Sequence, residues 1–177
     1  DYVAERGIRA SADDFLVASG SQGVLDLLGK VLIDPGDRIA VEAPTYLGAL
    51  QAFNPYEPEY VRMDTDDEGL IPQSLDLVLA AGRVKFIYLV PTFQNPTGRT
   101  IPMARRRQIA EIIRRHDALL VEDDPYSALR YAGEAVAPIH TLAPDHVVYT
   151  STLSKVLAPG LRIGYCVAPP DLLRWLV

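Results

Sequence analysis

Cysteine is nearly missing from this chain. Cys166 stands alone among 177 residues, so no disulfide forms within it, which fits a reducing compartment. Basic residues are in the minority, 17 Lys and Arg against 23 Asp and Glu, and the net charge of −6 disfavours a nucleic-acid-binding surface. No apolar run approaches the ~20 residues needed to cross a bilayer, and no signal-peptide pattern opens the chain. The expectation is a soluble, cytoplasmic protein with neither membrane nor nucleic acid as a partner. Several motifs are also missing. Neither G-x-G-x-x-G nor G-x-x-x-x-G-K-[ST] occurs, which argues against dinucleotide and nucleoside-triphosphate cradles. There is no G-x-S-x-G elbow, and His116, His140 and His146 are scattered without a partner motif, so they read as structural or surface residues.

What is present is ordinary in bulk, with 49% apolar and 23% charged residues. That excludes a disordered tail and a disulfide-stapled mini-scaffold, and the chain is long enough to bury a core without staples. Short β-branched runs alternate with longer stretches of helical period. Strands are predicted at 15–18, 38–42, 59–63, 85–90, 118–121, 146–149 and 163–167, and helices at 23–33, 47–53, 72–81 and 102–116. In the last of these helices Arg105, Arg106, Arg107, Arg114 and Arg115 are placed on solvated faces around Ile109, Ile112 and Ile113. The interleaving predicts a three-layer α/β/α fold with a mostly parallel sheet of about seven strands. The chain opens at Asp1-Tyr2 in what reads as the last turns of a helix and closes partway through another apolar-periodic stretch, so it is expected to be a piece of a longer protein.

In an open α/β sheet, ligands bind beyond the carboxyl ends of the strands, so the segments there carry the functional signal. Gly20, Ser21 and Gln22 open a helix, which suits an anion, although Ser19 or Ser21 also makes an ordinary N-cap. Tyr46 follows the second strand, and Asn95-Pro96-Thr97-Gly98 follows the fourth. Asp123 and Tyr126 follow the fifth. Glu122, Asp123 and Asp124 suggest either a metal site or a carboxylate held against a cationic ring nitrogen. Without a His or Cys cluster, and with adjacent acids on extended backbone facing opposite ways, the metal is the weaker option. Acidic helix capping is the bland alternative. Lys155 lies among Thr150, Ser151, Thr152 and Ser154. On a buried edge a lysine loses its proton and attacks a carbonyl, whereas most lysines are simply solvated. Arg162, after Pro159-Gly160-Leu161, is within reach of the same anion as Ser21.

Taken together, Ser19-Gly20-Ser21-Gln22, Pro44-Thr45-Tyr46, Asn95-Pro96-Thr97-Gly98, Asp123-x-x-Tyr126, Ser154-Lys155 and Pro159-Gly160-Leu161-Arg162 resemble, in this order, fold-type-I pyridoxal-phosphate enzymes. The resemblance covers essentially the whole chain and is nearest to the class I/II aminotransferase branch that includes the 2-aminoadipate and kynurenine aminotransferases. It implies pyridoxal 5'-phosphate as cofactor, amino and keto acids as substrates, and a homodimer. By the same resemblance, Lys155 is the Schiff-base lysine and proton shuttle, and Asp123 pairs with the pyridine nitrogen. Asn95 and Tyr126 bond the ring's phenolic oxygen, and Tyr46 stacks on the ring. The phosphate falls to Gly20, Ser21, Gln22, Thr152, Ser154 and Arg162.

There are departures from the family's pattern. Arg162 lies one residue closer to the lysine than in the aspartate-aminotransferase branch. The small-domain arginine that binds the substrate carboxylate, and the N-terminal segment that covers the site, are not in this sequence. Residues 1–177 are therefore expected to be the cofactor-binding large domain, cut at both ends and at best weakly active alone. Two alternatives stay open: the effector-sensing domain of a winged-helix transcription regulator, and a carbon–sulfur β-lyase on the same fold. Asn95 before Pro96, together with Asp123-x-x-Tyr126, favours a catalytic domain.

Overall fold

A computed structural model describes residues 3–177. Its main sheet has seven strands: β1 (Phe15–Ser19), β2 (Arg38–Glu42), β3 (Glu59–Met63), β6 (Phe86–Leu89), β7 (Leu120–Asp123), β8 (Val147–Thr152) and β9 (Ile163–Val167), in the spatial order β1-β9-β8-β7-β6-β2-β3. The pairs β8/β7, β7/β6, β6/β2 and β2/β3 are parallel. β9 runs against both of its neighbours. A small antiparallel hairpin, β4 (Thr65–Asp66) with β5 (Gly69–Leu70), stands apart from the sheet; the sequence reading did not anticipate it.

Five helices cover the sheet: α1 (Gly20–Leu32), α2 (Leu47–Phe53), α3 (Pro72–Ala80), α4 (Met103–Arg115) and α5 (Pro170–Leu176). Period-two alternation along the strands sorts their side chains between two cores. Phe86, Tyr88 and Val90 join Val24, Leu25 and Leu28 of α1 and Phe53 of α2. Ile87 and Leu89 join Leu75 of α3 and Ile109, Ile112 and Ile113 of α4. With an apolar cluster under the helices of each face, and a smaller third one of Val3, Ile8, Tyr149, Tyr165 and Val167, the architecture is α/β/α in three layers, as the interleaved pattern predicts.

Three expectations need amending. α1 begins at Gly20 rather than Gly23. The expected helix at the start lies partly outside the described residues, since Asp1 and Tyr2 are not among them; Ala4–Arg6 forms a single 3-10 turn closed by Gly7 at φ 82°. The third correction is Arg106, which is not solvated but 1% exposed. Its guanidinium donates to the carbonyls of Ile101 (2.9 Å), Pro91 (2.8 Å) and Ala137 (3.1 Å) and to Thr92 Oγ1 (2.7 Å), and it lies 3.8 Å from the buried Glu122. Positions 106, 109, 110 and 113 share the buried face of α4 at i, i+3, i+4, i+7 spacing. The arginine therefore anchors the loop after β6 from beneath.

Candidate active site

The parallel strands β2, β6, β7 and β8 end at one edge, and because β9 is reversed, the segment that enters it lies at that edge too. There an open cleft is lined by Ser21, Gln22, Tyr46, Asn95, Asp123, Tyr126, Thr152, Ser154, Lys155 and Arg162. Ten of the eleven residues singled out in the sequence thus meet at one hollow. The eleventh, Gly20, does not line it but opens α1 just behind. Val90 and Pro125 also line the cleft and carried no signal in the sequence, being apolar residues at strand ends.

At one end lies the first turn of α1. Ser19 is its N-cap residue but makes no side-chain cap bond, so the ordinary capping alternative is not realised and the turn's N–H groups are left without a side-chain acceptor. Gly20 adopts φ +77°, and a Cβ there would meet Arg162 Nη2 at 2.6 Å. Arg162 Nη2 lies 3.4 Å from the Ser19 carbonyl. Gly164 was missed from sequence, yet a Cβ on it would overlap the Gly20 carbonyl carbon and the Ser21 nitrogen. Only a glycine on β9 lets the mouth of α1 sit so close to the sheet. The side chain of Gln22 is committed elsewhere, donating to the Gly48 carbonyl at 2.7 Å, which ties α1 to the start of α2 beside Tyr46. Thr152 Oγ1 lies 3.0 Å from both the Ile163 carbonyl and Ser154 Oγ.

Asp123 is the last residue of β7 rather than part of the segment that follows a strand ending at Val121, and it is buried. The three consecutive acids diverge as strand geometry requires. Glu122 accepts from the backbone N–H groups of Ile139 and His140 on the α4 face. Asp124 accepts from Ser127 and from the Tyr149 hydroxyl. Asp123 turns to the cleft, where its Oδ2 accepts from the Tyr88 hydroxyl at 2.7 Å while its buried Oδ1 has no hydrogen-bond partner. Burial pushes the Asp123 carboxyl up to about 7, opposed by the Tyr88 bond and helped by Asp124. Among the described residues no cluster of His, Cys, Asp and Glu has a metal-holding arrangement.

Of the two readings of Lys155, buried edge and solvated loop, the structure shows an exposed side chain on the cleft wall, with Nζ 6.0 Å from the centre of the Tyr126 ring. Asn95 Nδ2 and the Tyr126 hydroxyl are 3.4 Å apart, joining the loop after β6 to the loop after β7. Burial, and then the negative charge of Asp123, raise the pKa of the Tyr46 phenol. The arrangement suits a flat ligand with an anionic group toward α1, a basic ring atom at Asp123 and a carbonyl within reach of an amine.

Comparison with known proteins agrees with this geometry. The family model "Aminotransferase class I and II" matches residues 2–177. Aromatic-amino-acid aminotransferase 1 of Thermococcus litoralis is 48% identical over 99% of this chain and 44% of its own length. The crystal structure of Pyrococcus horikoshii kynurenine aminotransferase in complex with PMP superposes with a TM-score of 0.92 at 46% identity, over 98% of this chain and 44% of that one. A match of another kind is the transcriptional regulator YjiR of Escherichia coli, 36% identical over 94% of this chain and 36% of its own length. The chain spans less than half the length of these relatives.

Proposed function

The chain belongs to the aminotransferase class I and II family, and on that premise we propose that the cleft binds pyridoxal 5'-phosphate and that the full-length protein moves amino groups between α-amino acids and α-keto acids. One observation carries the reading: the buried Oδ1 of Asp123, without a partner, in the same hollow as Lys155 and the open first turn of α1. A buried carboxylate oxygen is costly unless something donates to it. A protonated pyridine nitrogen is such a donor, and a phosphate is the matching ligand for the turn.

When bound, the cofactor supplies an electron sink for the substrate's α-carbon. The protein's own groups then divide the work. Asp123 keeps the proton on the ring nitrogen, and the low-dielectric surroundings that make its charge costly alone make that pairing strong. Lys155 would supply the amine that binds the cofactor's carbonyl group and, when free, the base that carries the substrate proton. Tyr46 packs on the ring, and Asn95 and Tyr126 orient its phenolic oxygen. The N–H groups of Gly20, Ser21 and Gln22, the hydroxyls of Thr152 and Ser154, and Arg162 hold the phosphate.

The same reading makes the protein a homodimer, supported by the exposure of Lys155 and Arg162 in this chain alone, which leaves the cleft to be closed by further protein. It puts the protein in the cytoplasm, supported by the unpaired buried thiol of Cys166. Among the described residues no helix is long and apolar enough to cross a membrane.

The test is the purified full-length protein with added pyridoxal phosphate. A visible absorbance band, lost in Lys155→Ala, and exchange of amino groups between an amino acid and a keto acid are expected. A colourless wild-type protein that ignores the cofactor overturns the proposal. A second reading, the sensing domain of a transcription regulator, draws support from the similarity to YjiR. A basic winged helix upstream, with cofactor binding but no amino-group exchange, would favour it.

A further inference from the structure

Tyr88 lies at the centre of β6, fully buried, on the α1 face of the sheet. Its neighbours on that face, Phe86 and Val90, are apolar, and its ring packs edge-on to Phe53 with centroids 5.9 Å apart. Phenylalanine would fill this space equally well, so the hydroxyl needs its own reason. Placing a phenol in an apolar core is unfavourable unless it is partnered. Its partner is Asp123 Oδ2, at 2.7 Å, and the other oxygen of that carboxylate is the orphan on which the proposed cofactor site turns.

We propose that Tyr88 is a positioning residue of the cleft: by holding Oδ2 it fixes the plane of the Asp123 carboxylate and leaves Oδ1 as the acceptor for the ring nitrogen. The inference rests on the pyridoxal-phosphate reading above. Rotation about the terminal bond of an aspartate is soft, so without the phenol the two oxygens exchange places and neither is aimed. The bond also sets where the shared proton resides. A carboxylate that already accepts from a phenol is a weaker base, so the proton stays on the ring nitrogen. The other titratable groups near this pair are Asp124, the residue just after β7, Glu42 on β2 and Tyr46 at the start of α2. All are acids, and none donates to Asp123.

Tyr88→Phe removes the hydroxyl and little else. In the full-length protein, the dissociation constant for pyridoxal phosphate is expected to rise about tenfold, the scale of one hydrogen bond to a charged group. Nitrogen NMR of isotopically labelled cofactor should move from the pyridinium toward the neutral-pyridine position, and kcat should fall with little change in KM. In the cofactor-free protein, the Asp123 carboxyl, followed by carbon NMR and assigned through Asp123→Asn, should titrate about one unit higher than in wild type.

Wild-type behaviour of Tyr88→Phe in these measurements overturns the inference. Failure of the wild-type protein to take up the cofactor overturns the functional reading and with it the cofactor-directed role. The cofactor-free titration then still reports whether Tyr88 controls Asp123. If Tyr88→Phe does not fold, the comparison moves to the Asp123→Asn background, where the buried charge is gone. There the phenylalanine substitution should change cofactor affinity less than about twofold, because its effect runs through the carboxylate. A tenfold loss in that background also overturns it.

Discussion

Glu42, Glu122 and Asp123 are all buried carboxyls, and they differ in what they hold. Glu42 accepts from the Val90 N–H at 3.1 Å, fastening β2 to the end of β6, and burial pushes its pKa up to about 8. An acid raised on folding binds its proton more tightly in the folded state, so its contribution is complete below its ordinary value of 4.5 and is lost as pH rises through about 8. Glu42→Gln keeps the acceptor and removes the titration. Its melting temperature is expected to fall less than that of wild type between pH 5 and 8, as read by circular dichroism; an unchanged slope would remove Glu42 as a source of the pH dependence. At this scale the sequence was informative wherever a polar residue stood after a strand, since that position points to a cleft. It was silent on Tyr88 and Glu42, whose meaning lies in partners 35 and 48 residues away. No local pattern distinguishes a core tyrosine that holds an acid from one that merely fills space.

Among the elements, the seven strands were legible because each is a short run of mainly apolar residues holding at least one β-branched side chain. The hairpin of β4 and β5 was not, because strands of two residues carry no periodicity. α1 starts earlier than its apolar pattern because the Gly-Ser-Gln-Gly stretch reads as a turn until packing on β9 is considered. That packing depends on Gly164. Gly164→Ala forces β9 and the mouth of α1 apart, so about 1–3 kcal/mol of stability should be lost, together with most of the affinity for pyridoxal phosphate. Denaturant melts and a cofactor titration check both losses. Arg106 runs against residue type, since an arginine is expected on a solvated face and position 106 falls on the buried one. Arg106→Met leaves Glu122 without its counter-charge and takes a donor from four oxygen acceptors, of which the Pro91 carbonyl keeps the Ile101 N–H. A loss of about 3–5 kcal/mol in urea unfolding is expected. A variant as stable as wild type would mean that waters replace the guanidinium.

For the molecule as a whole, the cleft draws on segments from residue 21 to residue 162, and most of the sheet lies between them. Such a site exists only in the folded chain, so a ligand that fills it stabilises the entire fold by mass action. In the full-length protein, pyridoxal phosphate at about a hundred times its dissociation constant should add roughly 2.7 kcal/mol, seen as a raised melting temperature. Lys155→Ala should require more cofactor for the same rise. The seven strands of the main sheet and the approximate places of four helices were readable from the chain, whereas strand order and the reversal of β9 were not, because both are decided by pairings between distant segments.

The reversal of β9 has one more effect. The connection from Thr152 to Ile163 is a hairpin whose arms are paired through Thr152 and Gly164, and the amine and guanidinium ride on that short bridge. Both ends of the bridge are clamped when the sheet assembles. The entropy of arranging these two cations is therefore settled during folding, and an arriving anion meets a preset bracket instead of a loose loop that must first be gathered.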